Sequence, residues 1–207
     1  NRRGDQSKLQ LFEDIQNMNL GAFRLSVRTF DVDFQHAIQL RPKHSLLLGG
    51  GFRMNTVETV GTVNLSFQPP DRTYLVSNAF AQHEWQIVPD RLALTLGARV
   101  ERYTLAGSTF QPSVRLMWAP TSRQAYWTSA SGAVRTPAHY DYSLRYPVSS
   151  LSGVALPVLL QFTGSETIRP ETLRGFEVGA RWQVSRKTVV EAAAYHNSYA
   201  RLNDTYQ

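Results

Sequence analysis

The sequence predicts an all-β fold, an antiparallel meander of about nine or ten strands, and three observations across its 207 residues carry that reading. Apolar and polar residues alternate with a period of two through most of the chain, and no stretch of convincing length has a helical period. Short polar turns at 41–44, 89–90, 119–124 and 184–187 alternate with longer connections, notably 55–72 and 136–170. Trp85, Trp118, Trp127 and Trp182 each lie within five residues of a short turn. The alternation alone fits a soluble β-sandwich and a transmembrane barrel equally. The other two observations favour the barrel, in which short turns sit at one rim, long loops at the other, and amphipathic indoles at the membrane–water boundary.

Taken in order, residues 8–14 form a first strand, and Asn17-Met18-Asn19-Leu20-Gly21 makes a turn. Residues 24–40 then alternate clearly, with Phe30, Val32, Phe34 and Ile38 on one face and Asp31, Asp33, Gln35 and Gln39 on the other. After the turn containing Pro42, Leu46, Leu48, Gly50 and Phe52 share a face opposite Gly49, Gly51 and Arg53. A polar connection at 55–72 leads to a strand at 74–88, which sorts Ala79, Ala81, Trp85 and Ile87 from Gln82, Glu84 and Gln86. Residues 91–103 are the clearest strand, with Leu92, Leu94, Leu96, Ala98 and Val100 set against Ala93, Thr95, Gly97, Arg99 and Glu101. The hairpin 110–135 places Val114, Leu116 and Trp118 against Ser113, Arg115 and Met117. The two faces of its second strand, 125–135, are nearly equal in polarity. Residues 136–170 read as a long irregular loop rich in Tyr, Ser and Pro, a length that is usually functional. Phe176, Val178, Ala180 and Trp182 then alternate with Glu177, Gly179 and Arg181, and a last strand covers 188–199.

Composition excludes several function classes. With no cysteine, disulfides, thiolate catalysis and Cys-ligated zinc are ruled out. No run of 18 apolar residues exists, which excludes a transmembrane helix and leaves a barrel open. The formal charge of +6 is carried almost wholly by arginines scattered among acidic residues, without the concentrated stripe that nucleic acid requires. The five histidines (His36, His44, His83, His139 and His196) show no metal-ligand spacing, so neither a metal nor another cofactor is expected. No G-x-S-x-G sequence or ordered triad points to an enzyme, and the carboxylate pairs Asp31/Asp33 and Glu84/Glu101 read as charge ladders rather than acid–base machinery.

The run Phe110 to Pro120, FQPSVRLMWAP, and the following YWTSASGAVRTP at 126–137 resemble two adjacent strands of TonB-dependent outer-membrane receptors. In that family a P-x-x-x-L-x-W-x-P strand precedes an aromatic–serine strand ending in Arg-x-Pro. SNAFAQHEWQIVPDRLALTLGARVERY at 77–103 is similar to the family's FxQDEW…L…GxRxE hairpin, with His83 where Asp is usual. Arg169-Pro170-Glu171-Thr172 through Glu177-Val178-Gly179-Ala180-Arg181 resembles its L-x-P-E…E-x-G-x-R element, and Tyr195-His196-Asn197 its Phe-Tyr-Asn strand. The resemblance implies a bacterial outer-membrane location and part of a larger barrel of about 22 strands. Residues 1–207 are then expected to be a barrel segment, with the N-terminal plug domain and the closing C-terminal strands outside it. The implied activity is uptake of a scarce small molecule (a siderophore, cobalamin or a glycan), with outer-membrane lipid, the plug and the TonB complex as partners. A passive porin and a soluble carbohydrate-binding sandwich are the alternatives.

Within this reading Trp85, Trp118, Trp127 and Trp182 form the membrane-interface girdle. Asp31, Asp33, Gln82, Glu84, Arg99, Glu101, Arg115, Glu177 and Arg181 face the lumen. Arg135, His139, Tyr140, Tyr142, Arg145 and Tyr146 are the candidate ligand-binding residues of the long loop, since aromatic faces and guanidinium groups combine contact area with polar handles.

Overall fold

A computed structural model describes residues 5–21, 23–62, 64–151 and 158–202. Strands β1 (Gln6–Leu20), β2 (Phe23–Arg41) and β3 (His44–Val60) open the chain, followed by the two-residue β4 (Ser66–Phe67). Strands β5 (Asp71–Val88), β6 (Leu92–Tyr103), β7 (Gly107–Thr121) and β8 (Gln124–Arg135) continue the meander. Helix α1 (His139–Ser143), β9 (Leu144–Leu151) and β10 (Val158–Thr163) occupy the long connection, and β11 (Glu171–Gln183) and β12 (Val189–Ala200) end it. Nine strands form one antiparallel sheet in the order β1-β2-β3-β5-β6-β7-β8-β11-β12, and β10-β9-β4 form a second, small sheet. The large sheet does not close on itself. No second sheet covers its apolar face among the described residues, which removes the sandwich alternative.

The register divides the side chains of the large sheet into two faces, because directly paired residues of antiparallel strands point the same way. Asp31 pairs with Arg53, Arg53 with Val76, and Val76 with Tyr103. Continuing through Glu101–Thr109, Arg115–Ser129 and Ser129–Glu177, the polar residues of successive strands fall on a single face. Asp31, Asp33, Gln82, Glu84, Arg99, Glu101, Arg115, Glu177 and Arg181 all lie there. Phe34, Phe52, Leu94, Val114, Ala130 and Val178 are among the residues of the opposite face, many of them well exposed. The same register settles β8: Tyr126, Thr128, Ala130 and Val134 join the apolar face, while Trp127, Ser129, Ser131 and Arg135 join the polar one.

Trp127 is therefore a correction to the girdle. Trp85, Trp118 and Trp182 lie on the apolar face near the short turns, but Trp127 lies one residue out of phase, on the polar face. Its indole N–H donates to Glu177 at 2.6 Å. A cross-strand glycine makes room for the ring: a Cβ built at Gly179 would collide with it. Gly49 makes the same accommodation for the ring of Phe80. Tyr126 is the aromatic of β8 on the apolar face, stacked on Trp118 at 5.3 Å and accepting a 3.0 Å hydrogen bond from the Trp182 indole.

All connections at one rim are short: β2–β3, β5–β6, β7–β8 and β11–β12. The opposite rim carries 61–70 and 136–170, together with tight turns at Gly21 and Gly107, whose positive φ values of 64° and 78° favour glycine. The strands outrun the sequence expectation. β2 has 19 residues where a tilted strand needs only about 9–11 to cross a bilayer, so the excess extends beyond the apolar band at the long-loop rim. The described residues of the 136–170 connection likewise form α1, β9 and β10 in place of an irregular loop, with β9 paired to β4 and β10 and His139 of α1 stacked on Tyr74 of β5.

Face assignment yields a direct test. Val178→Arg, on the apolar face, is expected to lower folding stability in lipid vesicles by about 2–4 kcal/mol. Ser129→Arg, in the paired row of the opposite face, should change it by less than roughly 0.5 kcal/mol. Equal effects at the two sites would mean the faces are misassigned.

Candidate functional site

Apart from Asp31 and Gly179, which share the polar face, the buried residues of the large sheet (Phe23, Asn55, Val57, Thr59 and Tyr103) lie on that face towards the long-loop end. What covers that end is a lid made by the two long loops together. Ser66 and Phe67 of β4 pair with Arg145 and Leu144 of β9, and the Gln68 N–H donates to the Ser143 carbonyl at 2.8 Å. The returning strand is clasped to α1 by Gly164 N–H to Leu144 O, 2.8 Å, and Ser165 N–H to Asp141 O, 3.0 Å. Only glycine fits at 164, since a Cβ there would come within 2.6 Å of the Tyr142 backbone. Helix α1 begins after Pro137, and Asp141 fixes its start by accepting from the Ala138 N–H at 2.7 Å.

The lid is seated by a file of aromatic rings. Phe23 meets Phe67 with centroids 6.0 Å apart, and His139 is sandwiched between Phe67 (5.3 Å, 9°) and Tyr74 (6.1 Å, 11°). Tyr74 in turn packs edge-on against Tyr103 at 5.5 Å. Beside them Arg72, mostly covered, pairs with Glu166 of the lid at 2.7 Å. Both ring nitrogens of His139, the Tyr142 hydroxyl and the Ser143 hydroxyl are buried without a hydrogen-bond partner among the described residues. Burial, and then the Arg72 guanidinium, holds the His139 pKa below the usual imidazole value. Burial, and then Asp141, pushes the Tyr142 phenol up.

The six loop residues singled out in the sequence thus have different fates. His139 and Tyr142 are inside the lid. Arg135, at the neck of the connection, is held by Glu171 through contacts of 3.1 and 3.3 Å. Arg145 is half-buried in β9, while Tyr140 and Tyr146 remain about half exposed and present their rings outward. Sequence reasoning missed Phe67, Arg72, Tyr74 and Tyr103, the other half of the seat. Tyr74 did carry a signal, as a large aromatic at a polar-face position beside a long connection, whereas Tyr103 shares that face beside the tight turn at Gly107.

Farther from the lid the polar face carries a ladder of paired groups. Arg53 donates to Asp31 at 2.6 Å and Arg99 to Glu101 at 3.0 Å, while Glu84 accepts from Gln86 at 2.6 Å and Asp33 from Gln35 at 3.2 Å. Among the described residues no three His, Cys, Asp or Glu side chains group to hold a metal ion. The histidines are less isolated than their sequence spacing implied: the β3–β5 register brings His44 Nδ1 within 3.1 Å of His83 Nε2, beside Trp85.

Residues 2–202 match the family model described as TonB dependent receptor-like, beta-barrel. No match is found among curated proteins. Among solved structures, the chain is similar to the siderophore receptor PirA from Pseudomonas aeruginosa, at 15% identity and a TM-score of 0.77, over 93% of this chain and 35% of that one. A variant of the ferric enterobactin receptor PfeA from the same organism, solved with enterobactin, gives 17% identity and a TM-score of 0.74, over 94% and 32%. The FrpB iron transporter from Neisseria meningitidis gives 15% identity and a TM-score of 0.62, over 86% and 28%. The chain thus spans about a third of the length of these structures.

His139 makes the lid sensitive to acid. A base whose pKa is lowered on folding is protonated more readily when its site is open, so lid stability is complete above about pH 6.5, the ordinary imidazole value, and falls as pH drops below it. Protection factors of segment 139–147, taken relative to intrinsic amide exchange at each pH, should fall between pH 7 and 5, and His139→Phe should abolish that fall. Unchanged protection in the parent sequence would contradict the burial of this ring.

Proposed function

The chain belongs to the TonB-dependent receptor β-barrel family, whose members are transport receptors rather than enzymes, and on that premise we propose that its sheet is a sector of the wall of an outer-membrane uptake barrel. The single observation that carries this reading is the separation of the two faces across nine strands. The apolar face meets lipid, with Trp85, Trp118, Tyr126 and Trp182 at its boundary. The polar ladder lines the lumen, where paired charges tolerate water and present hydrogen-bonding groups to a plug domain. The short-turn rim is periplasmic and the lid stands at the outer rim.

In this arrangement the lid occupies the approach to the lumen. Tyr140, Tyr146 and Arg145 are its ligand-facing groups, while the aromatic file from Phe23 to Tyr103 holds it in place. Binding is non-covalent. A ligand held at the outer rim passes into the lumen when the TonB complex, acting on the plug, rearranges it. A ferric siderophore is the ligand class best supported, because the similar structures are named for siderophores or iron; cobalamin and glycans are the other classes that the site's chemistry admits.

The test is uptake by cells in which the complete protein is the sole receptor. Ferric siderophore accumulation that stops when TonB is removed is expected, and uptake indifferent to TonB would point to a passive pore. Tyr140→Ala combined with Tyr146→Ala should weaken ligand binding by about tenfold, the scale of losing an exposed aromatic anchor. A second measurement addresses orientation. In vesicles of brominated lipid, single-tryptophan variants retaining Trp118 or Trp182 should be quenched, and one retaining Trp127 should not. Quenching of Trp127 would overturn the assignment of its face to the lumen.

A further inference from the structure

Two imidazoles meet at the short-turn rim, on the apolar side of the large sheet. His44 begins β3 and pairs in register with Trp85, while His83 lies two residues before Trp85 on β5 and so points to the same side. Diagonal neighbours on adjacent strands are within reach of ring side chains, and His44 Nδ1 stands 3.1 Å from His83 Nε2. The two rings are nearly parallel, 9° apart with centroids separated by 5.2 Å, and the Trp85 indole flanks His44 at 5.8 Å and 15°. Backbone pairing fixes this arrangement. The β3–β5 ladder runs without irregularity from Glu58–Asp71 to His44–Trp85, and just beyond it the Gln86 N–H donates to the Lys43 carbonyl at 2.8 Å. Groups carried on paired strands are held more closely in place than groups on loops.

These two rings differ from the other histidines of the sheet and lid. His36 is engaged by the Ser7 hydroxyl at 2.8 Å, and His139 is enclosed under the lid. Among the described residues the rings of His44 and His83 are hydrogen-bonded to no side chain but each other, and both are half-exposed, so an ion in water can reach them. Two nitrogens each about 2.0–2.1 Å from one metal ion lie about 2.9–3.3 Å apart when they occupy neighbouring corners of its coordination shell. The observed 3.1 Å falls in that interval. In the neutral pair only one of the facing nitrogens carries a proton. When the donor ring moves that proton to its own second nitrogen, both facing nitrogens offer lone pairs, and an ion enters with no net release of a proton. Imidazole nitrogen selects transition ions over Mg²⁺ and Ca²⁺, with Cu²⁺ bound most tightly.

We propose that His44 and His83 form a two-imidazole site for a divalent transition-metal ion, Cu²⁺ or Zn²⁺, at the short-turn rim. Water fills the remaining coordination positions, so the ion exchanges with solvent and is not locked in a closed structural centre. Arg41 and Lys43, on the turn beside His44, carry the same sign of charge as the ion and act in the same direction. Bound there, the ion joins β3 to β5 next to the β2–β3 and β5–β6 turns. The site follows from the β3–β5 register alone and holds whether or not the sheet lines an uptake barrel.

The test is a Cu²⁺ titration of the complete protein, purified in detergent micelles without a histidine tag. In a variant whose sole tryptophan is Trp85, fluorescence should be quenched saturably by a single ion per chain, because the indole stacks on one of the ligands. His44→Gln and His83→Gln should each raise the half-saturating Cu²⁺ concentration by roughly tenfold or more, and His36→Gln should leave it unchanged. Zn²⁺ should displace the bound Cu²⁺, and Mg²⁺ should not. Pulsed electron spin resonance of the parent protein with one equivalent of Cu²⁺ should count two coordinated imidazoles. Equal quenching in the His44 and His83 variants, or fewer than two imidazoles in the parent protein, overturns the site. The imidazole count needs no substitution, so it decides the matter even where a variant does not fold.

Discussion

Hydrogen-bond pairing in register is the constraint from which the rest of this structure follows. A strand in hydrocarbon has no water to satisfy its N–H and C=O groups, so each must pair with a neighbouring strand. Once paired, side chains alternate with a period of two, and a slip of one residue would turn a whole strand's apolar set inward. From β2 to β12 the chain keeps this phase through seven junctions, two of which contain long insertions. Irregularities in the ladder fall next to short turns, at 39–41, 86–88 and 118–121, where a local shift changes the rim without disturbing the faces.

Phase is also where the sequence was most and least readable. Residues 91–103 and 176–182 could be assigned because leucines and charges strictly alternate there. In 125–135 the two faces, Tyr-Thr-Ala-Gly-Val against Trp-Ser-Ser-Ala-Arg, carry similar polarity, and only pairing with β7 and β11 decides between them. Trp127 misled for a related reason. Proximity to a turn fixes the height of a tryptophan but not its face, and the face depends on whether the opposing residue leaves space. Gly179 supplies that space from a strand 52 positions later in the sequence. The pair is visible only once the register is known.

The lid was hidden by the opposite difficulty. A five-residue helix and short strands have little propensity or periodicity of their own, so the 136–170 segment reads as a polar loop. Its order comes from tertiary contacts: Gly164 against the α1 backbone, β4 joined to β9, and Phe67 laid on His139. His44 and His83 show the same limit in miniature, since 39 residues of sequence separate two rings that the sheet makes neighbours.

Seating the lid on rings rather than on ion pairs has a consequence for how the outer rim responds. Aromatic stacking and burial are insensitive to salt, so the file from Phe23 through Phe67, His139 and Tyr74 to Tyr103 keeps its register at any ionic strength. The Arg72–Glu166 pair is different: Glu166 is largely exposed, and its contribution is modest and screened. Its value is instead positional, because it ties the returning arm of the lid to β5 while Arg72 keeps a cation beside His139 and disfavours protonation of the ring. The hydroxyls of Tyr142 and Ser143, buried without partners among the described residues, add a cost that an open lid would not carry. A closed lid with unsatisfied polar groups beneath it is held by packing against that cost, and so has less to lose by opening than its buried area suggests.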